Sequence, residues 1–178
     1  MTNNTTISHP FQDNAEWQRL QSGIIDLAKT EVLARFEQVT AEEKSDGSLL
    51  TEADTEMQKK TQTFLQNNWP QYAFLGEESS TEEQEAAMNS ESGCWILDPV
   101  DGTSNFAIGI PFYSVSIALM IKGQLVAGIV YDPSRDEIFT ARVGQGAALN
   151  NKPLIANTAK QSLKQCSGII DFKRLSAE

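Results

Sequence analysis

An α+β fold, with helices packed on a largely antiparallel sheet, is predicted by three features of the sequence. Two leading stretches have helical apolar spacing, two short apolar runs each stop at acids, and a later series of alternating segments is separated by tight-turn residues. The chain has 178 residues, enough for one domain. A domain of this size withdraws roughly two-thirds of its unfolded surface from water. Its 40% hydrophobic and 21% charged content predict an ordinary globular core. The formal charge of −10 argues against a nucleic-acid or anionic-membrane partner, because those surfaces select basic proteins. A protein this acidic that handles phosphate needs cations between the two. No stretch approaches a membrane-spanning length, and the polar start lacks a signal peptide's basic region and apolar core, so a cytoplasmic location is expected.

Residues 1–14 read as a disordered lead, and 15–178 as a single domain. The only histidine, His9, falls in that lead, which leaves no histidine for a triad or a general base. Over residues 15–39, Trp17, Leu20, Ile24, Leu27, Ala28, Val32 and Phe36 recur at helical spacing and predict a long amphipathic scaffold helix. A polar loop with an Asp46-Gly47 turn follows, then Leu49-Leu50, with Thr51 or Asp54 suited to cap the next helix. That helix spans 54–68, with Met57, Thr61, Phe64 and Leu65 on its apolar face, and Trp69-Pro70 ends it. Residues 72–75 form a short apolar strand that runs into Gly76-Glu77-Glu78-Ser79. The acidic stretch over 80–92 is expected as a surface helix or loop. Cys94 reads as a small buried hydrophobe, and with Cys166 it offers neither a disulfide framework nor a zinc site.

Residues 95–97 predict a core strand, and Pro99 is expected to turn the chain because it lacks an N–H. Asp98 and Asp101 are then left at the strand's end. Gly102 permits a close backbone approach, and Thr103 or Ser104 is placed to cap a short helix through Asn105, Phe106 and Ala107. Two carboxylates three residues apart beside free helix-start N–H groups suit a divalent cation held against a phosphate, and magnesium prefers such oxygen donors. The plainer reading is an Asp-Pro turn followed by a capped helix. A calcium loop of the EF-hand kind fails on ligand spacing. Glu77-Glu78 and Asp98 with Asp101, on neighbouring strands, would bring four carboxylates to one sheet edge, a costly arrangement unless cations neutralise it. Segments 113–121, 125–131 and 137–141, divided by Lys122-Gly123 and Asp132-Pro133-Ser134-Arg135, predict a meander.

The run Trp95-Ile96-Leu97-Asp98-Pro99-Val100-Asp101-Gly102-Thr103-Ser104-Asn105-Phe106 resembles the first signature motif of the inositol monophosphatase family, a group of lithium-sensitive, magnesium-dependent phosphomonoesterases. The resemblance extends from about Lys44 to the last residues, through Leu50-Thr51-Glu52-Ala53-Asp54, Gly76-Glu77-Glu78 and the 141–147 run. It implies a layered sugar-phosphatase fold, a Mg2+ cofactor, a homodimer, and a small phosphorylated polyol as substrate, inositol monophosphate first. Adenosine bisphosphate, histidinol phosphate, fructose bisphosphate and NADP are the alternatives. It also implies Glu77, Asp98, the Val100 carbonyl and Asp101 as metal ligands, and Asp54, Glu78 and Thr103 as catalytic residues. Substrate contacts would come from Lys44, Glu77, Val100, Asp101, Gly102 and Thr103. The second motif of the family, a Trp-Asp pair with small residues after it, has no counterpart after residues 168–175, so the resemblance implies that 15–178 is the N-terminal portion of such a domain, incomplete at its C-terminus. A metal-binding or dimerising half-domain without turnover is therefore the competing expectation.

Overall fold

The computed structural model describes residues 7–36, 38, 42–43, 49–77 and 79–155. Lys44, Glu78 and the stretch 168–175 lie outside the described residues.

Helix α1, Asn14–Leu27, begins where the Asp13 carboxylate accepts the N–H groups of Ala15 and Glu16 at 2.8 and 3.1 Å. It continues as a π-type segment, Ala28–Val32, and a 3-10 turn, Leu33–Arg35, rather than as the uniform helix expected to residue 39. The buried side chains explain the change. Leu20, Ile24, Ala28 and Val32 are spaced by four, and each such step overshoots a 3.6-residue turn by about 40°. Widening the helix at Ala28 keeps the last two on the core face.

Two short strands, β1 (Glu42–Glu43) and β2 (Leu49–Leu50), pair antiparallel, and helix α2 follows over Glu52–Asn68. Thr51 is its N-cap, so α2 starts two residues before the expected Asp54. Strand β3 is Ala73–Gly76, and α3, Thr81–Met88, is capped by Ser80, whose hydroxyl accepts the Glu83 N–H at 3.3 Å. Strand β4, Cys94–Asp101, is followed by α4, Thr103–Ala107. The meander then comprises β5 (Ser114–Ile121), β6 (Gln124–Asp132), β7 (Glu137–Arg142), β8 (Gly146–Leu149) and β9 (Lys152–Leu154). All but the first two strands form one sheet in the order β3-β4-β5-β6-β7-β8-β9. Only β3 and β4 pair in parallel, so the predicted α+β class with a largely antiparallel sheet is what the chain adopts.

Alternation along the strands sends Trp95, Leu97, Val115, Ile117, Leu119, Ile129 and Tyr131 into one core with Trp17, Leu20, Ile24, Met57 and Leu65 of α1 and α2. A second, smaller cluster joins Ala87 of α3 to Cys94 and Met120. Cys94 is fully buried and free, as its sequence context predicts.

Two expectations need correction. The chain does not turn at Pro99, because β4 runs on to Asp101. It can do so because β3 ends opposite Leu97 and the β4–β5 register shifts between Asp98 and Asp101, so the missing N–H falls in an unpaired bulge. Nor is the lead disordered through residue 14. From Ile7 onward it is packed, with a 3-10 turn over Pro10–Gln12 and Phe11 wholly buried. Phe11 lies 5.0 Å from Trp69 and 5.4 Å from Trp95 between ring centroids. Arg142 fastens this segment to the sheet, donating to the Phe11 carbonyl at 2.8 Å and lying over the Trp17 ring. A lone aromatic in a polar stretch has no periodicity to reveal it. His9 is buried there too, and burial, then the charge of Arg142, lowers its pKa.

Replacing Phe11 with Ala is expected to cost about 3–5 kcal/mol, the range for deleting a buried aromatic ring. Urea unfolding followed by tryptophan fluorescence measures it, and a loss below about 1 kcal/mol would place Phe11 outside the core.

Candidate active site

The site follows from the register of β3 and β4. Gly76 pairs with Leu97, so Glu77 leaves β3 at the level where β4 reaches Asp98. The bulge that accommodates Pro99 then carries the chain to the exposed Asp101. Glu77, Asp98 and Asp101 thus come to one end of the sheet, as their sequence spacing predicts. Asp54 reaches the same end from the first turn of α2.

Asp98 bears the consequence. Its Oδ1 atom is buried without a hydrogen-bond partner. Burial, then the charges of Asp101, Glu77 and Asp54, push its pKa up to about 6, against a partial offset from the Val100 N–H. Among the described residues, no three acidic, histidine or cysteine side chains form a ready-made metal cage. These acids share an electrostatic field without converging on a single point. An orphaned carboxylate oxygen in a field of like charges is nevertheless what a divalent cation would relieve. Magnesium suits an open arrangement, since it keeps waters and takes only one or two carboxylates. The residues present therefore fit the ion.

Asp54 is 2% exposed, and burial raises its pKa while hydrogen bonds pull it back. One of its oxygens accepts the Thr51 N–H at 2.8 Å and the Thr51 hydroxyl at 2.6 Å. The other lies 3.3 Å from the Thr103 hydroxyl, the contact that the family resemblance implies. That hydroxyl has a single proton, and the Val100 carbonyl, at 2.8 Å, competes for it. Thr51 is the residue missed as part of the site. Its signal was the Thr-x-x-Asp pattern, read as a helix start and as part of the family resemblance with no role given to Thr51.

Gly102, not Thr103 or Ser104, caps α4, and Thr103 is the first helical residue. Gly102 has φ +97°, and its carbonyl accepts the N–H groups of Asn105 and Phe106 at 2.9 and 3.0 Å. A Cβ at Gly102 would meet the Phe112 carbonyl oxygen at 2.9 Å. The Asn105 side chain donates to that same carbonyl at 2.9 Å, so the loop after α4 is pinned over the turn. Lys44 and Glu78, expected beside phosphate and at the catalytic centre, lie outside the described residues.

The sheet has one parallel pair with acids at its strand ends, α1 and α2 packed on one face and α3 on the other, and this is the fold of solved inositol monophosphatase and SuhB structures. The suhB extragenic suppressor protein of Bartonella henselae superposes with a TM-score of 0.69 at 32% identity, over 81% of this chain and 54% of that one. An IMPase/NADP phosphatase solved with Mg2+ and phosphate superposes at 0.65 with 26% identity, over 80% and 52%. In sequence, inositol monophosphatase 2 of Solanum lycopersicum is 38% identical over 123 residues, which are 69% of this chain and 46% of that protein. The inositol monophosphatase family model matches residues 13–176, and the chain belongs to that family. It spans about half the length of these relatives. No helix among the described residues is long and apolar enough to cross a membrane.

Two measurements probe this geometry. Gly102→Ala combines a left-handed backbone with a contact against an immobile carbonyl, and is expected to cost about 1–3 kcal/mol in urea unfolding. A loss of a few tenths would mean that the turn relaxes freely. For Asp98 the folded pKa is raised, so the stability it contributes is present below about pH 4 and is lost as pH rises through about 6. Asp98→Asn is accordingly expected to stabilise the metal-free chain at pH 7.5 by about 1–2 kcal/mol, after allowance for solvent screening, and to have no such effect near pH 4. Equal destabilisation at both pH values would remove the charge crowding from the account.

Proposed function

We propose that the protein is a magnesium-dependent phosphomonoesterase of small phosphorylated polyols, with inositol monophosphate as its first substrate, to which this chain contributes the acids facing cation and phosphate. One observation carries this reading: the Asp98 oxygen is buried without a donor while three other carboxylates crowd it. Glu77, Asp98, the Val100 carbonyl and Asp101 would hold Mg2+. Bound there, the ion neutralises phosphate charge and lowers the pKa of an attacking water. The relative solved with Mg2+ and phosphate supports the choice of ion.

The chain's own side chains supply the rest of the reaction. Asp54, fixed by Thr51, would turn the Thr103 hydroxyl so that its oxygen accepts from the attacking water and aims it. The N–H groups of Gly102 and Thr103, ahead of the first intrahelical bond of α4, would face phosphate oxygens. Lys44 beside the phosphate and Glu78 as a catalytic carboxylate are carried by the family resemblance. With water as nucleophile, no covalent phosphoenzyme is needed. Adenosine bisphosphate, histidinol phosphate, fructose bisphosphate and NADP remain the substrates to assay against inositol monophosphate, with NADP favoured by the name of the solved IMPase/NADP phosphatase. A homodimer in the cytoplasm completes the proposal.

A second reading, a metal-binding and self-associating unit without turnover, has one observation in its favour. Ile108, Ile110 and Phe112 are 70%, 46% and 59% exposed just after α4, an apolar group that a second copy would cover.

Phosphate release from inositol 1-phosphate, measured with and without Mg2+, is expected to require the ion and to fall at least about a hundredfold in Asp98→Asn, the upper end of what losing a partner of a metal ligand costs. Mg2+-independent release would overturn the reading. Absent release from a folded chain that binds Mg2+ and runs as a dimer in size-exclusion chromatography would favour the second one.

A further inference from the structure

Gln58 lies one turn after Asp54 on α2, on the stripe that faces the ends of β3 and β4. Its amide oxygen is buried and has no hydrogen-bond partner. The amide head fills the space that a side chain at position 76 would occupy: a Cβ on Gly76 would lie 2.3 Å from Oε1 and 2.5 Å from Cδ. Strand β3 ends at Gly76, and Glu77 is the next residue. Gly76 itself offers no donor, because its N–H is given to the Ser79 hydroxyl at 3.0 Å. An unpaired acceptor therefore sits at the strand end that delivers Glu77.

We propose that Gln58 is a positioning residue for Glu77, its buried amide oxygen accepting a hydrogen bond from water carried by the cation that Glu77 holds. The inference rests on the metal-site reading of Glu77, Asp98 and Asp101. A spacer against Gly76 would not need the oxygen. Methionine fills nearly the same volume and leaves no acceptor unpaired, whereas an unpaired buried acceptor destabilises the fold. An uncharged acceptor also adds nothing to the repulsion already acting on Asp98 from Asp101, Glu77 and Asp54. Water in the shell of a bound cation is a strong donor, and partners at that distance orient the ligands that touch the metal.

The two roles differ in metal affinity. If Gln58 were structural packing alone, Gln58→Met would keep or raise the thermal midpoint of the metal-free chain, since it removes an unpaired buried acceptor, and would leave metal affinity unchanged. If it positions Glu77, the variant keeps or raises that midpoint in EDTA while its affinity for Mn2+, read by water-proton relaxation, weakens by about tenfold. Gln58→Glu presents only acceptors and is expected to bind Mn2+ at least as tightly as the parent chain. Unchanged Mn2+ affinity in Gln58→Met overturns the proposal, as does failure of Gln58→Glu to retain affinity. Asp98→Asn separates this from the reading beneath it. If that variant loses Mn2+ while Gln58→Met does not, only the role of Gln58 fails. If Asp98→Asn binds as tightly as the parent chain, the metal-site reading fails and takes Gln58 with it.

Discussion

The parallel pairing of β3 with β4 is the constraint on which the rest of the site depends. A parallel pair brings both strands to their carboxyl ends on the same side, and the Gly76–Leu97 register sets those ends level. Acids that are 21 residues apart in sequence, Glu77 and Asp98, are thereby made neighbours. An antiparallel pairing of the same strands would have sent them to opposite edges. Parallel pairs also need a crossover, which α3 and its flanking turns provide. The acidic character of α3 suits its exposed face, and its one buried residue, Ala87, anchors it on Cys94 and Met120.

The fold stores an electrostatic cost at this point and offsets it elsewhere. Asp98 is half-buried among like charges, while the opposite side of the same strand sends Trp95 and Leu97 into the main core. The aromatic cluster of Phe11, Trp17, Trp69 and Trp95 holds the start of β4 against α1 and the C-terminal end of α2. Rigid apolar packing beneath a repulsive strand end keeps the carboxylates close when they would otherwise separate. Asp54 belongs to the same design. Its carboxylate is buried deeply enough to be disfavoured as an anion, and Thr51 satisfies it with two short hydrogen bonds, so it stays oriented toward Thr103.

Local chemistry was legible where a residue type has few alternatives. The helical stripe of Trp17, Leu20 and Ile24, the turn residues between the meander strands, and the acids closing two apolar runs all carry their meaning within a few neighbours. The reading went astray where the deciding partner was distant. Pro99 forbids a central ladder, but β3 stops two residues earlier, so the strand was free to continue. Phe11 looked like part of a polar lead because the rings that bury it come from α1, the end of α2 and β4. Helix α1 changed pitch at Ala28 for the sake of a core, shared with α2, that the helix sequence does not mention.

By itself the sequence determined the α+β class and the positions of most helices and strands, because apolar periodicity and capping residues are properties of short segments. Asp98 and Asp101 stood out as acids closing an apolar run, whereas Asp54 and Glu77 were singled out by the family resemblance. Tertiary structure alone decided that β3 and β4 run parallel and in level register, that Gly102 rather than Thr103 caps α4, and that the Asp98 oxygen is left without a donor. Those outcomes depend on where backbone hydrogen bonds close between segments far apart in the chain and on which water is excluded when they do.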